Sequence, residues 1–327
     1  MKRRVVAALA APLLAAMALS ACGGGATGPQ ASAPGTTGGS TAVTLANLGV
    51  AQAAPLVLAK DKGIFAKHGI TLTITYVEPA AVIPTILSKK ADFGYLNAPA
   101  VLAARTNGVP VKSVVTTSVV KGDPAVFPIQ LMTRPGGAIK SPGDLKGKKI
   151  AVDTLFQIPH LSLLNALIAS NVDPNQVQVV EVPYANMGTA LASGQVDAAQ
   201  VTEPFGTILR SSGAATDLLS AATGQTEGSP QSILLASEAY INANPKVVDS
   251  FRAAVTEATE YAAAHESEYR ATLPSFTKLD ANLIPKIRFA TPSSQDTPAG
   301  WQAWADLLQK VGAVKKPVDA KAAYLAR

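Results

Sequence analysis

The chain reads as an α/β protein made of two similar βαβαβ halves that face each other across a cleft. Three observations carry this. From Ala42 onward, β-rich stretches alternate with helical ones, the pattern of a mostly parallel sheet. Proline opens successive helical stretches, where its missing N–H would be unpaired anyway. The prolines also recur in register: Pro55 and Pro159 are 104 residues apart, Pro79 and Pro183 are 104 apart, and Pro99 and Pro204 are 105 apart.

In the first half, residues 43–48 are β-rich, and Pro55 opens a helix to about Lys67 that Gly69 closes. Residues 71–77 alternate as a β-branched strand. A helix near 81–88, a strand at 93–96, a helix from Pro99 to about Thr106 and a strand at 112–120 follow. The second half repeats the order: strand 149–153, a helix from Pro159 to about Ser170, strand 177–182, helix 186–193, strand 198–202 and a helix opened by Pro204. Ser88-Lys89-Lys90-Ala91-Asp92-Phe93 matches Ser193-Gly194-Gln195-Val196-Asp197-Ala198 in pattern. Asp92 and Asp197 are expected as turn residues, not as acids of a reaction. Residues 237–327 are mainly helical, with a long Ala-rich helix at 247–264. Trp301 and Trp304, spaced i, i+3 on another helix, are expected in core packing. One lobe is thus expected at 42–128 and 237–327, and the other at 134–231. The strands 129–133 and 232–236 are expected to cross between them as hinges.

The first 41 residues belong to neither lobe. Lys2, Arg3 and Arg4 precede an apolar run that ends at Leu19, followed by Ser20, Ala21 and Cys22. A basic start, a short apolar stretch and small residues form a signal-peptide pattern, here over 1–21, and the run is too short to span a bilayer. Small residues followed by Cys resemble the lipobox of bacterial lipoproteins. That resemblance implies lipid attachment at Cys22 and an extracytoplasmic protein anchored to the cell membrane. The other reading is a secreted protein with an incidental cysteine. The Gly/Ser-rich segment over 22–41 is a flexible tether.

Cys22 is the only cysteine, so the monomer forms no internal disulfide and its stability must come from its core. The formal charge is +6, and three of the basic residues lie in the signal segment, leaving a body at +3. With no basic cluster there, nucleic acid is not an expected partner. His68, His160 and His265 fall on different elements and no pair has metal-ligand spacing. No Gly-x-Ser-x-Gly elbow and no phosphate loop occur. No metal, no cofactor and no catalysis are expected, and a monomer is.

Parallel sheets bind ligands beyond the carboxyl ends of their strands. Six strand-to-helix corners should therefore line the cleft: 47–54, 78–81, 97–99, 153–159, 183–186 and 202–204. The candidate ligand contacts in them are Gln52, Asn97, Phe156, Gln157, Asn186 and Glu203. Each has a structural alternative. Asn97 and Asn186 could cap their helices, and Gln52 could sit in a solvated loop. Phe156 and Gln157 could pack at a lobe edge, and Glu203 could serve its own helix start. His160 is more readily a structural histidine, and Phe127 and Thr117 are weaker candidates. None of the corners carries Lys or Arg, so a bidentate grip on an anion is not visible.

Three segments carry a family resemblance. They are Ala54-Pro55-Leu56-Val57-Leu58-Ala59-Lys60-Asp61-Lys62-Gly63-Ile64-Phe65, Leu145-Lys146-Gly147-Lys148-Lys149-Ile150-Ala151-Val152, and Ala190-Leu191-Ala192-Ser193-Gly194-Gln195-Val196-Asp197-Ala198-Ala199 with Thr202-Glu203-Pro204. As an ordered set they resemble the nitrate/sulfonate/taurine and thiamine-precursor-like substrate-binding proteins of ABC importers. The resemblance implies a type II periplasmic-binding-protein fold that closes on a small molecule and delivers it to a permease with a separate ATPase subunit. Relatives with small anionic ligands often have a Ser/Thr/Gly-rich turn after the first strand of the second lobe. Here that turn is Thr154-Leu155-Phe156-Gln157-Ile158-Pro159-His160, which disfavours nitrate. It favours an organic solute with an apolar part: a sulfonate, an aromatic acid or a pyrimidine-like molecule. A ligand-sensing lipoprotein without transport is the alternative. A thiamine-pyrimidine-synthase-like enzyme is more remote, since the cysteine-rich iron motif is absent.

Overall fold

The computed structural model describes residues 39–121, 127–220, 226–277, 279–295 and 297–326. The expected signal peptide, Cys22 and most of the tether lie outside the described residues. Gly39–Arg327 form one compact unit that contains two sheets.

The first sheet contains β1 (Thr41–Asn47), β2 (Ile70–Tyr76), β3 (Phe93–Asn97), β4 (Val111–Val119), β10 (Pro230–Ser237) and the edge strand β11 (Thr291–Pro292). The second contains β5 (Ile129–Thr133), β6 (Lys149–Val152), β7 (Gln178–Glu181), β8 (Ala198–Thr202) and β9 (Thr216–Ser220). Leaving out β11, the orders correspond: β2-β1-β3-β10-β4 and β7-β6-β8-β5-β9. β1 pairs parallel with β2 and β3, as β6 does with β7 and β8. The inserted strands β10 and β5 run antiparallel to both neighbours.

The repeat extends to individual bonds, at an offset of 105 residues. Leu45 pairs with Phe93 and Ala46 with Gly94, as Ile150 pairs with Ala198 and Ala151 with Ala199. Thr44 N–H donates to Asp92 Oδ2 at 2.8 Å and Asp92 N–H returns to the Thr44 carbonyl at 2.9 Å. Lys149 N–H donates to Asp197 Oδ2 at 2.9 Å and Asp197 N–H returns to the Lys149 carbonyl at 2.8 Å. Both aspartates are therefore the turn residues the pattern indicated. Each gives a partner to a strand N–H, mid-strand at Thr44 and at the strand start at Lys149.

Two expectations are corrected. The single helix from Pro55 to Lys67 is two, Ala54–Asp61 and Ile64–Lys67. Gly63 between them sits at φ +71°, a left-handed conformation open to glycine at no steric cost, and it ends the first helix early. The expected hinge strands also do not run between the sheets. Residues 129–133 lie wholly in the second sheet and 232–236 wholly in the first. The chain passes from one sheet to the other between Val119 and Ile129, and back between Ser220 and Pro230.

The first sheet is sandwiched by apolar helices. The helix Ala54–Asp61 buries Leu56, Val57 and Leu58, and Phe251 of the helix Pro245–Ala264 stacks on Phe93 with centroids 3.7 Å apart. Fully burying such side chains is worth roughly 1.5–3 kcal/mol each. Trp301 and Trp304 are core residues of the helix Pro298–Lys310, and Trp304 Nε1–H donates to the Pro230 carbonyl at 2.8 Å. Gly300 lets this helix approach the chain closely, since a Cβ there would lie 2.9 Å from the Ser229 Cα. Ile158 and Leu161, from the helix after β6, join the first lobe's core. The two lobes are thus in apolar contact beside the cleft.

Candidate functional site

All six strand-to-helix corners contribute to one cleft between the sheets. From the first lobe come Leu48, Val50, Gln52, Pro79 and the end of β3, Tyr95 to Asn97. From the second come Asp153, Gln157, Ile158, Pro159, Tyr184 and Thr202. Ile129 on β5 and Gln231 and Ser232 on β10 form the floor where the chain changes sheets. The cavity between these walls is about 60 Å³. A typical small-molecule site measures about 300–1,000 Å³, so the lobes here are drawn together.

Lining residues from the six corners include repeat-related pairs. At the 105-residue offset Gln52 corresponds to Gln157, Pro79 to Tyr184, Asn97 to Thr202 and Leu48 to Asp153. Two hydrogen bonds cross the cleft and obey the same symmetry. Gln52 Nε2–H donates to Thr202 Oγ1 at 3.1 Å, and Asn97 Nδ2–H donates to Gln157 Oε1 at 2.6 Å. In each, the glutamine from the first corner of one half meets the third corner of the other. Ala51 N–H adds a backbone link to the Glu203 carbonyl at 3.0 Å.

The sequence candidates separate on this geometry. Gln52, Asn97 and Gln157 line the cleft. Asn97 does both things the sequence allowed, because its Oδ1 also accepts Ala100 N–H at 3.1 Å and caps the helix Ala98–Thr106. Phe156, Asn186 and Glu203 are not among the lining residues. Phe156 takes φ +61°, packs against the first lobe's core and lies over His160, with ring centroids 5.3 Å apart. Asn186 is solvent-exposed in the first turn of the helix Tyr184–Ala192. Glu203 is fully buried beneath the cleft wall. Its Oε1 pairs with Arg210 Nη2 at 2.5 Å and its Oε2 accepts Thr207 N–H at 3.0 Å. Arg210 goes on to Asp217 at 3.0 Å, and Asp217 to Arg288 at 2.9 Å. Burial raises the Glu203 pKa, and Arg210 opposes the shift.

His160 is structural. Phe156 N–H donates to its Nδ1 at 2.9 Å, so that nitrogen must be unprotonated. Burial pushes the imidazole pKa down to about 4. Thr117 donates to the Ser232 carbonyl at 3.2 Å and Phe127 is buried in the core, both outside the lining.

Asp153, Tyr95, Tyr184, Thr202 and Gln231 were not singled out from the sequence. Asp153 and Tyr184 fall inside corners that were, and Thr202 is the repeat mate of Asn97, so the 105-residue offset was a signal for it. Gln231 sits on the inserted strand β10, and no local pattern reports that strand's position. Burial pushes the Asp153 pKa up to about 6 and Glu181 adds to the shift, while the Tyr184 hydroxyl and Thr154 N–H favour the charged form. No group of three or more His, Cys, Asp or Glu with metal-binding geometry occurs among the described residues.

Comparison with known proteins agrees with this architecture. Residues 50–269 match the family described as NMT1/THI5 like. A Brucella abortus (strain 2308) chain named as a binding protein is 27% identical over 282 residues, covering 82% of this chain and 85% of that one. The riboflavin-binding protein RibY of Chloroflexus aurantiacus is 29% identical over 209 residues, 61% of this chain and 56% of RibY. The alkanesulfonate-binding protein SsuA from Xanthomonas axonopodis pv. citri, solved bound to MOPS, superposes with a TM-score of 0.74 at 20% identity. That superposition covers 88% of this chain and 99% of SsuA, and it establishes the fold. With two matching sheets, a cleft at their shared corners and a family match over most of the body, the chain belongs to the NMT1/THI5-like family and has the periplasmic-binding-protein fold.

Proposed function

We propose that this chain is the extracytoplasmic solute receptor of an ABC importer. It captures a small organic solute by lobe closure and hands it to a membrane permease driven by a separate ATPase. The observation that carries this reading is the cleft itself, which draws residues from all six corners and is bridged by two symmetry-related hydrogen bonds. A site whose walls belong to different lobes can form only when they close, which couples binding to a shape a permease can read. The apolar walls, Leu48, Val50, Leu96, Ile129 and Ile158, favour a solute with an apolar body. The binding-protein names of the relatives support the capture reading, without naming a ligand class for it. The resemblance around Cys22 supports a lipid anchor, with the segment before β1 as the tether.

A thermal-shift screen of sulfonates, aromatic acids, pyrimidines and amines tests capture, because a ligand that binds only the folded state raises Tm. At least one class should do so and should contract the protein in small-angle scattering. A flat response to every class overturns the reading. Cys22→Ala should move the protein from the membrane fraction to the soluble fraction, and unchanged partitioning would exclude the anchor.

A further inference from the structure

The polarity of the cleft is weighted toward acceptors. Several backbone donors near its walls are already used within the protein. Ala100 N–H is taken by Asn97, Leu155 N–H by Glu181 at 2.8 Å and Phe156 N–H by His160. Ala51 N–H is taken by the Glu203 carbonyl. Three of the helices that start at the cleft carry a proline in their first turn, Pro55, Pro99 and Pro159, so each has lost one further donor. No Lys or Arg lines the cleft among the described residues.

Among the described residues, acceptors predominate among the buried side-chain atoms left unpaired in the lining, where the Tyr95 hydroxyl is the one group that can also donate. Gln52 Oε1, Asp153 Oδ1 and Gln231 Oε1 are buried with no hydrogen-bond partner, and all three residues line the cleft. Gln231 is only 4% exposed. A buried unpaired acceptor costs about 1–3 kcal/mol, more for a charged one, so three converging on one space mark it as built for a donor. An amide can rotate to present its N–H₂ instead, but an ionised carboxylate only accepts. Asp153 therefore sets the sign.

Resting on the capture reading above, we propose that the cleft selects a solute that presents an N–H donor group, amidinium, ammonium or neutral amino, to Asp153 and the Gln52 and Gln231 amides. The solute's apolar body lies against Tyr95, Leu96 and Ile158. An anion such as a sulfonate would meet the Asp153 carboxylate and no cation, with the Tyr95 hydroxyl as the one buried unpaired donor, and is rejected.

The test uses probes of matched size on the purified chain: benzamidine, benzylamine and 2-aminopyridine against benzenesulfonate and benzoate. The N–H donors should raise Tm and the two anions should not. Asp153→Asn should weaken donor binding at least tenfold. It should keep a far-ultraviolet spectrum and an unliganded Tm at or above the parent's, because it removes a buried charge. Gln231→Leu should weaken donor binding by a smaller factor. A Tm rise with benzenesulfonate or benzoate equal to that with benzamidine overturns the ligand class and leaves capture standing. Donor binding that survives Asp153→Asn overturns the role of Asp153. Silence from these probes and from the wider screen overturns both capture and this selectivity.

Discussion

Two side chains beside the cleft carry opposite pH dependences. His160 accepts Phe156 N–H and stays neutral in the fold, with its pKa held down to about 4 by burial. Below about pH 6.5 the unfolded chain takes up a proton that the native state refuses, so stability falls as pH drops from about 6.5 to 4, by up to about 3 kcal/mol. Asp153 does the reverse. With its pKa pushed up to about 6, the native state takes its proton first, so stability rises as pH drops from about 6 to 3.8, again by up to about 3 kcal/mol. The two slopes nearly cancel. Asp153→Asn should therefore lose stability more steeply than the parent between pH 6 and 4, and His160→Gln, which keeps an acceptor, less steeply. Urea titrations at stepped pH measure both; parallel profiles for all three proteins would contradict the assignment. Glu203 yields a second prediction at this scale. Its carboxylate is fully buried and its charge is balanced by Arg210. Arg210→Ala leaves that charge unpaired and should cost about 3–5 kcal/mol. Glu203→Gln should cost less, since Arg210 keeps Asp217. Equal losses in denaturant unfolding would show that the pair is not what holds this corner.

At the scale of elements, the repeat was legible, through proline spacings of 104 and 105 residues, because the two halves solve the same local problems with the same residues. Asp92 and Asp197 each bond the N–H of a neighbouring strand. Lys89 and Gly194 each end the preceding helix in the left-handed region, at φ 60° and 74°. Replacing either aspartate by alanine removes a charge-assisted bond and should destabilise by about 1–2 kcal/mol. The two effects should be similar and additive, since the sites lie in different lobes. A large loss at one site and none at the other in urea unfolding would mean the halves are not equivalent in energy. The strands, the helices opened by proline and the tryptophan helix were visible for the same reason: period, proline placement and apolar spacing are local signals. What was hidden depends on distant chain. Nothing near Gln231 reports that β10 returns from the far end of the sequence to lie between β3 and β4. Nothing near Glu203 reports Arg288, and the hinge strands were misplaced because an apolar run does not say which sheet receives it. The orientation of Phe156 was hidden because a positive φ on an aromatic residue is fixed by its surroundings, here His160 and the first lobe's core.

At the scale of the molecule, the repeat makes the closed form symmetric where it matters. Gln52–Thr202 and Asn97–Gln157 are related hydrogen bonds on opposite sides of one cleft. Each half contributes one glutamine and one partner, so neither lobe holds the other alone. Removing one bond leaves its mate and the Ala51–Glu203 backbone link to hold closure. Removing both leaves that link and the apolar contact through Ile158 and Leu161. A net hydrogen bond is worth about 0.5–1.5 kcal/mol, so each loss should shift the open–closed balance by a factor of roughly 2–12. Gln52→Ala and Gln157→Ala should each enlarge the unliganded radius of gyration slightly in small-angle scattering. The double variant should open clearly and bind ligand more weakly, without a matching loss of global stability, because neither bond lies in a lobe's core. If the double variant scatters like the parent without ligand and binds as tightly, apolar contact alone closes this clamp and the symmetric pair is incidental to it.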